Sequence, residues 1–286
     1  MPLVTIDDLW GPPDEVAARI QDAKQLFRLY EEYIRFQPDD SVRPPGIHSS
    51  ELSRCVRWAF YSLVDHRKIP TTKPFWKKKF KLGKAIHSMI ERDFAGMAAR
   101  TRRLRRAGAP AGDGFIVEFQ ANVLCSPELQ PLCARWNIWS EADGVFVFRE
   151  HAYGPAIVRV GLETKSMGKE EFAALRTPEP EHVEQVHTYM AALELPLMWL
   201  VYYCKGTDNI TPSEAPFLLA FDPVVWAGTE AKIRLVHEHA ARGEAPPRQE
   251  SIACDFCPYA WDCQPTRLAG PPRRQSVVHL RTSGKA

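Results

Sequence analysis

The sequence lacks the features that mark membrane proteins and nucleotide-driven enzymes. It contains no apolar run of about 18 residues, which is the length that a membrane-spanning helix needs. No charged and then apolar leader opens the chain, and no G-x-x-x-x-G-K-[ST] loop is present to hold a nucleoside triphosphate. These absences predict a cytoplasmic protein without a membrane partner, and they assign any unwinding of a duplex to another protein.

The chain also lacks a large excess of charge of either sign, with a formal net charge of +2. Its basic residues are nevertheless grouped in two blocks: Lys77, Lys78, Lys79 and Lys81 around Trp76, and then Arg102, Arg103 and Arg105. Local basic blocks favour a polyanion as partner, because ammonium groups pair with phosphates while unpaired bases stack on rings. The alternatives are a solvated helix face and a basic loop whose rings belong to the core.

The order of the hydrophobic patterns indicates the fold class. Strand-like runs at 115–124 and 136–148 precede a buried strand at 157–164, and a helix at 181–193 precedes a further strand at 197–205. This order predicts a mixed α/β fold with a small central mixed sheet flanked by helices. With 286 residues, the chain is long enough to bury a large core.

The ends of the chain differ in character from its centre. Helical periodicity followed by a proline-rich break predicts an N-terminal helical extension over residues 1–45. The main domain is expected over 46–270, and a flexible basic tail over 271–286.

Two opposite charges stand at the end of the buried strand. Glu163 and Lys165 are two positions apart, so they share a face of the strand and point into one space. Two charges in a partly desolvated cleft are costly unless they bind or react, although a structural salt bridge is the alternative. Asp143 interrupts another apolar run just before Gly144, where it could cap a bulge or turn, or ligate a metal.

These residues can be assembled into one chemistry. Asp143 and Glu163, on adjacent strands, would supply the hard oxygen ligands that Mg²⁺ or Mn²⁺ prefers. His87, on a helix predicted to run from Gly83, would add a nitrogen ligand and shift the preference towards Mn²⁺, unless it is simply packed. Lys165 could position the attacking water or neutralise charge on the phosphoryl oxygens. The predicted reaction is hydrolysis of a phosphodiester.

Four short motifs resemble, in order and spacing, those of RecB-like nucleases of the PD-(D/E)xK superfamily. They are a helical His at His87, Asp143, the segment Glu163-Thr164-Lys165, and the pair Gln185 and Tyr189. This resemblance implies a cation held by His87, Asp143, Glu163 and the backbone carbonyl of Thr164. It also implies that Gln185 and Tyr189 line the site and help to orient the lysine or DNA.

Three of the seven cysteines, Cys254, Cys257 and Cys263, fall within ten residues. Disulfides are rare in the cytoplasm, so clustered thiols indicate metal ligands, and three ligands need a fourth. The iron–sulfur subgroup of RecB-like nucleases, which includes CRISPR-associated RecB-like exonucleases, the AddB nuclease domain and phage relatives, has this spacing with one cysteine before the His helix. The resemblance implies Cys55 as the fourth ligand of a structural 4Fe–4S cluster that ties together the two ends of the domain. A four-cysteine zinc site is the alternative.

The sequence therefore predicts a metal-dependent DNA nuclease, an exonuclease acting on single strands or ends. Its setting would be phage, recombination or CRISPR-adaptation DNA processing, with recombination, helicase or CRISPR-integrase proteins as candidate partners. Two alternatives stay open. One is a non-catalytic DNA-binding module with the same fold inside a larger assembly, and the other is a nuclease whose substrate is RNA.

Overall fold

A computed structural model gives the fold and describes residues 43–66, 68, 74–106, 115–149, 157–207, 209, 217–250 and 252–263. The predicted N-terminal extension, except for its last three residues, and the predicted basic tail lie outside the described residues, and so does the side chain of Arg105. Within the described ranges, no helix combines the length and apolarity needed to cross a lipid bilayer.

The described helices and strands alternate along the chain. They are α1 (Ser49–Leu52), α2 (Val56–Leu63), α3 (Pro74–Arg106), β1 (Phe115–Cys125), α4 (Pro131–Trp136), β2 (Ser140–Arg149), β3 (Ile157–Met167), α5 (Lys169–Ala174), α6 (Pro180–Leu193), β4 (Leu197–Cys204), β5 (Phe217–Ala220), α7 (Pro223–Arg242), a 3-10 turn (Ile252–Asp255) and α8 (Ala260–Cys263).

The five strands form one mixed sheet in the order β1-β2-β3-β4-β5. The pair β3 and β4 is parallel, because α5 and α6 carry the chain back between them, and the other neighbours are antiparallel. The predicted mixed α/β fold is therefore confirmed. The strand expected over 136–148 begins later, at Ser140, because Trp136 ends a short helix that starts at a proline.

The core lies on both faces of this sheet. On one face, Ala98 of α3 packs on Phe146, Leu162 and Val201. On the other face, α6 and α7 pack with α1 and α2 over the buried side chains of β4, including Met198 and Leu200. The sheet is thus covered by helices on both sides, and the position of α3 and α6 is set by apolar burial.

The two central strands separate part of the way along β3. Their ladder ends at the pair Gly144 and Leu162. Beyond this pair, β2 continues against β1 and β3 continues against β4. A gap therefore opens between β2 and β3. Asp143 and Gly144 lie within β2, so of the two interpretations left open for Asp143 the structure does not support the cap of a turn. A Cβ at Gly144 would clash with the ring of Phe119.

A single helix of 33 residues, α3, carries both basic blocks and His87. The helix was expected to begin at Gly83, but it begins at Pro74, where proline at the first turn needs no hydrogen-bond partner for its nitrogen. Lys78 and Arg102 are therefore about 36 Å apart along the helix axis, since each residue adds about 1.5 Å. The two basic blocks lie at opposite ends of α3 and do not form one patch.

The C-terminal segment of the described domain docks on the first helices. Tyr259 is fully buried, and its hydroxyl lies 3.1 Å from the Ser62 hydroxyl, which donates to Glu51 at 2.6 Å. His66 and Asp262 add a second contact at 2.9 Å. The two ends of the domain are thus joined by packing and hydrogen bonds.

Substitutions of Tyr259 test this docking. We expect Tyr259→Phe to lower the free energy of unfolding by about 1 kcal/mol through the lost hydrogen bond. Tyr259→Ala should lower it by about 3–5 kcal/mol, because a buried ring is replaced by a cavity. Urea denaturation measures both, with Trp261→Ala as the control because Trp261 is 49% exposed. A Tyr259→Ala protein as stable as the parent would contradict the docking.

Candidate active site

Glu163 and Lys165 face the same side of β3 and are in contact. The Lys165 ammonium donates to Glu163 Oε1 at 2.7 Å and to Gln185 Oε1 at 2.7 Å. Glu163 is 3% exposed. Its second oxygen, Oε2, is buried and has no hydrogen-bond partner among the described residues. One carboxylate oxygen is therefore satisfied and the other is not.

Asp143 bridges the gap between β2 and β3. Its Oδ2 accepts the backbone N–H of Thr164 at 2.6 Å, and its Oδ1 lies 3.1 Å from Nδ1 of His87. The side chain thus replaces a ladder bond that the separated strands cannot make, and it connects β3 with α3. Because the N–H and C=O of one strand residue point towards the same neighbour, the Thr164 carbonyl would face this gap as well.

Gln185 and Tyr189 reach the site from α6. They are four residues apart and share a face of the helix. The Gln185 amide nitrogen donates to Glu163 Oε1 at 3.1 Å and to the Tyr189 hydroxyl at 2.6 Å. With its oxygen bound to Lys165, the Gln185 amide has a fixed orientation and holds the acid and the lysine together.

Burial dominates the electrostatics of the site. Burial, together with the charge of Asp143, raises the pKa of Glu163 to about 7 against the opposing effect of Lys165. Burial lowers the pKa of His87, but its hydrogen bond with Asp143 and the negative charges of the two acids outweigh this, so that the pKa is raised. Burial also raises the pKa of Tyr189 well above its usual range. The site therefore holds a carboxyl group, that of Glu163, whose charge is expensive to maintain.

The donor set fits a hard divalent cation. It contains two carboxylates, an imidazole and a carbonyl that faces the gap, and the unsatisfied Oε2 of Glu163 is a buried acceptor. In the part of the chain that is described, no three His, Cys, Asp or Glu side chains already form a metal-binding group. Glu163 is bound directly by Lys165 and Asp143 by His87, so a cation would have to replace part of these contacts.

The four cysteines predicted to bind an iron–sulfur cluster line one cavity. They are Cys55, Cys254, Cys257 and Cys263, and the cavity has a volume of about 360 Å³ including space open to solvent. Burial raises the pKa of the Cys257 thiol to about 12, and charge on the other three thiols acts in the same direction. The chain thus brings Cys55 to the C-terminal trio, about 200 residues later. Cys125, Cys133 and Cys204, which had no predicted partners, are buried elsewhere.

Phe256, between two of these cysteines, is surrounded by aromatic rings. Its ring centroid lies 4.9 Å from that of Trp76, 5.7 Å from that of Phe80 and 6.0 Å from that of Trp58. Trp76 was predicted to stack on DNA bases, but its half-buried ring packs against Phe256, and Lys79 lies over it at 5.2 Å. Its ring is therefore part of the protein's own packing.

The predicted DNA-binding residues are otherwise distributed along α3. Arg102 and Arg103 are exposed at the end of the helix, as is Lys81 near its beginning. Lys77, Lys78 and Lys79 are half-buried. Of these basic residues, the structure places none in the contacts that join Glu163, Lys165 and Asp143.

His182 is a neighbour of the site that sequence reasoning missed. It lies three residues before Gln185 on α6, and its Nδ1 is 2.9 Å from the hydroxyl of Tyr202, which pairs with Lys165 across the β3–β4 ladder. The feature of the sequence that pointed to His182 was its position three residues before Gln185, which places both side chains on one face of a helix. That spacing alone does not distinguish a site residue from a packed one.

No protein-family model matches the chain, and no curated protein matches it. Similar solved structures include the crystal structure of SSO0001, with 16% identity, a TM-score of 0.46, and 85% of this chain and 95% of that chain covered. They also include LHK-Exo in complex with dAMP, with 13% identity, a TM-score of 0.43, and 74% and 93% covered. The alkaline exonuclease LHK-Exo from Laribacter hongkongensis has 13% identity and a TM-score of 0.43, with 71% and 91% covered.

The raised pKa of Glu163 predicts a pH-dependent effect of Glu163→Gln in protein freed of divalent cations. A carboxyl group whose pKa rises from 4.5 to about 7 on folding stabilises the fold while it is protonated, and this contribution is lost as the pH rises through that interval. The melting temperature of the variant should therefore rise relative to that of the parent as the pH is raised from 5 to 8. Thermal unfolding in chelator measures this, with Glu230→Gln on α7 as the control. An advantage that is equal at both pH values would contradict the assignment.

Proposed function

We propose that this chain is a metal-dependent nuclease of the PD-(D/E)xK type that hydrolyses phosphodiester bonds of DNA, acting as an exonuclease on single strands or ends. One observation carries the proposal. Asp143, Glu163 and Lys165 meet at the gap between β2 and β3, where Glu163 keeps a buried oxygen without a partner among the described residues. Such a combination suits a cation and a phosphate better than a structural salt bridge.

The cation would be held by Asp143, Glu163, the Thr164 carbonyl and His87. A bound Mg²⁺ or Mn²⁺ supplies Lewis-acid chemistry, since it polarises a phosphoryl oxygen and lowers the pKa of bound water. The oxygen donors match Mg²⁺, and the imidazole favours Mn²⁺.

Lys165 would act on the reacting phosphate. An ammonium group has three hydrogens, and two of them are engaged by Glu163 and Gln185. The third can orient the attacking water or donate to a phosphoryl oxygen on which charge develops. Gln185 and Tyr189 act as positioning residues, because the amide fixes both Lys165 and Glu163 while its own orientation is fixed by Tyr189.

The four thiols are proposed to hold a 4Fe–4S cluster with a structural role. Thiolates are the usual ligands of such clusters, and four of them line one cavity between the first helices and the last. A single zinc ion on the same thiols is the alternative. The proposed setting is cytoplasmic DNA processing in phage, recombination or CRISPR adaptation, with recombination, helicase or integrase proteins as partners.

Glu163→Ala and Lys165→Ala are expected to slow cleavage by at least about 100-fold, because each removes a group that stabilises charge in the transition state. Cleavage of end-labelled single-stranded and double-stranded DNA measures this in Mg²⁺, in Mn²⁺ and in chelator, where it should stop. Arg234→Ala on α7, which removes a guanidinium paired with Glu230, is the matched control. Digestion by either site variant at the parent's rate would refute the nuclease assignment.

The same assay separates the alternatives. DNA binding without cleavage by any metal-loaded sample would indicate a non-catalytic DNA-binding module. Faster cleavage of RNA than of DNA oligonucleotides of one sequence would assign RNA as the substrate.

The cluster predicts a colour and an iron content. Protein purified without oxygen should be brown and contain about four iron atoms per chain. Cys55→Ser should lose most of this iron and unfold at a lower temperature, because one ligand of the closed loop is gone. Cys133→Ala, which removes a thiol outside the cavity, is the control and should retain iron. A colourless parent protein with one zinc ion would contradict the iron–sulfur assignment.

A further inference from the structure

His182 lies at the margin of the candidate active site, on the side of Lys165. It shares a face of α6 with Gln185. Beneath it, Tyr202 of β4 stands opposite Lys165 of β3, and the two rings of Tyr202 and His182 have centroids 5.6 Å apart. The side chain of His182 is only 12% exposed, so a nitrogen that it presents to the site is held in place.

The hydrogen bonds of Tyr202 fix the tautomer of His182. Tyr202 is fully buried, and its oxygen accepts the backbone N–H of Glu179 at 3.0 Å. In the described ranges, His182 Nδ1 at 2.9 Å is the acceptor left for the hydroxyl hydrogen. Burial, together with the positive charges of Lys165 and Arg54, lowers the pKa of His182 to about 2, so the ring stays neutral. Its one ring hydrogen is therefore on Nε2.

This Nε2–H donor makes no hydrogen bond to a described residue. Glu181 Oε1 lies 3.6 Å from it and 3.8 Å from Nε of Arg54, and both distances exceed a hydrogen bond. One carboxylate oxygen thus stands between two donors without binding either closely. The Glu181 side chain is 41% exposed, so it can turn into solvent at little cost.

A phosphate suits this position better than Glu181 does. It presents several acceptor oxygens and can meet a neutral N–H and a guanidinium at the same time, whereas Glu181 offers them one shared oxygen. The Arg54 guanidinium also lies over the ring of Phe256 at 5.6 Å, which restricts its motion. The donors are therefore pre-organised, and Lys165 adds positive charge beside them.

We propose that Arg54 and the Nε2–H of His182 form a phosphate-binding subsite beside Lys165, and that it takes a phosphate of the nucleic-acid strand next to the bond that is cleaved. Glu181 occupies the entrance in the free protein and turns outward when the phosphate enters. The inference rests on the proposed function, because it assumes that a nucleic acid reaches Lys165. It adds a specificity-determining element to the residues of the four motifs.

Equilibrium binding in chelator tests the subsite without cleavage. Fluorescence anisotropy is measured with single-stranded DNA oligonucleotides that carry a 5′-phosphate, a 3′-phosphate or hydroxyl groups at both ends. Arg54→Ala and His182→Asn should raise Kd about fivefold to tenfold, since each removes one donor to a charged group. Asn keeps an acceptor for Tyr202 but lacks a donor at the Nε2 position, so His182→Gln, whose amide reaches that position, should restore part of the affinity. Glu181→Gln should lower Kd about threefold.

The salt dependence of Kd distinguishes the two donors. Arg54→Ala should reduce the slope of log Kd against log salt by about 0.7, because one cation–phosphate contact with a single strand is lost. His182→Asn should leave the slope unchanged, since the ring is neutral. Arg234→Ala is the control for a surface guanidinium, and thermal unfolding of each variant reports its folding. A loss confined to 5′-phosphorylated strands would identify a terminal phosphate, and an equal loss on all strands an internal one.

Parent-like affinity of both His182→Asn and Glu181→Gln, or no binding by the parent, would overturn the subsite. Weakened binding by the subsite variants, in a protein whose Glu163→Ala form cleaves as fast as the parent, would instead sustain the subsite and remove the proposed catalytic site. The two hypotheses can therefore fail separately.

Discussion

The hydrogen bond from the Thr164 backbone to Asp143 is the contact on which the site depends. It lies where the ladder between β2 and β3 ends. The Asp143 carboxylate there accepts the Thr164 N–H, which can no longer bond to the backbone of β2 because the two strands have separated. Because the same carboxylate meets His87, this one side chain joins the sheet to α3. The strands can therefore diverge without leaving the backbone unpaired, and the space that they open is lined by charged groups.

The free-energy cost of this arrangement arises mainly from burial of the Glu163 carboxyl. A buried acceptor without a partner costs about 1–3 kcal/mol, and an acid held in its charged form under burial costs more. Lys165 and Gln185 offset part of this cost through one oxygen and leave the other open. If Glu163 and Lys165 formed only a structural ion pair, replacing them with apolar residues of similar size would leave the stability of the protein unchanged or raise it. Binding of a cation to Oε2 of Glu163, as proposed above, would offset the cost of leaving this oxygen without a partner.

The spacing of residues along the sequence predicted those pairs of site residues that lie on a single strand or a single helix. The separation of Glu163 from Lys165 on a strand, and of Gln185 from Tyr189 on a helix, places each pair on one face whatever the rest of the chain does. Asp143 stood out only as an acid within a predicted strand, and its Asp-Gly pair left a turn open as an alternative, whereas the glycine is required by the ring of Phe119. The separation of β2 from β3 and the contact between His182 and Tyr202 both depend on packing between distant segments, which a local pattern does not encode.

The candidate active site and the thiol cavity are linked through Phe256 and Arg54, which contact the helices that carry site residues. Phe256, between Cys254 and Cys257, packs on Trp76 and Phe80 in the first turns of α3, and His87 follows Phe80 by about 10 Å along that helix. Arg54, adjacent to Cys55, contacts both Phe256 and Glu181 at the start of α6, the helix that carries Gln185. A group that tightens the four thiols therefore restrains Phe256 and Arg54 together. Through them it would restrain the two helices that carry His87 and Gln185, since close-packed contacts transmit strain. A group bound by the four thiols, as proposed above, would therefore act on the acidic site only through this packing.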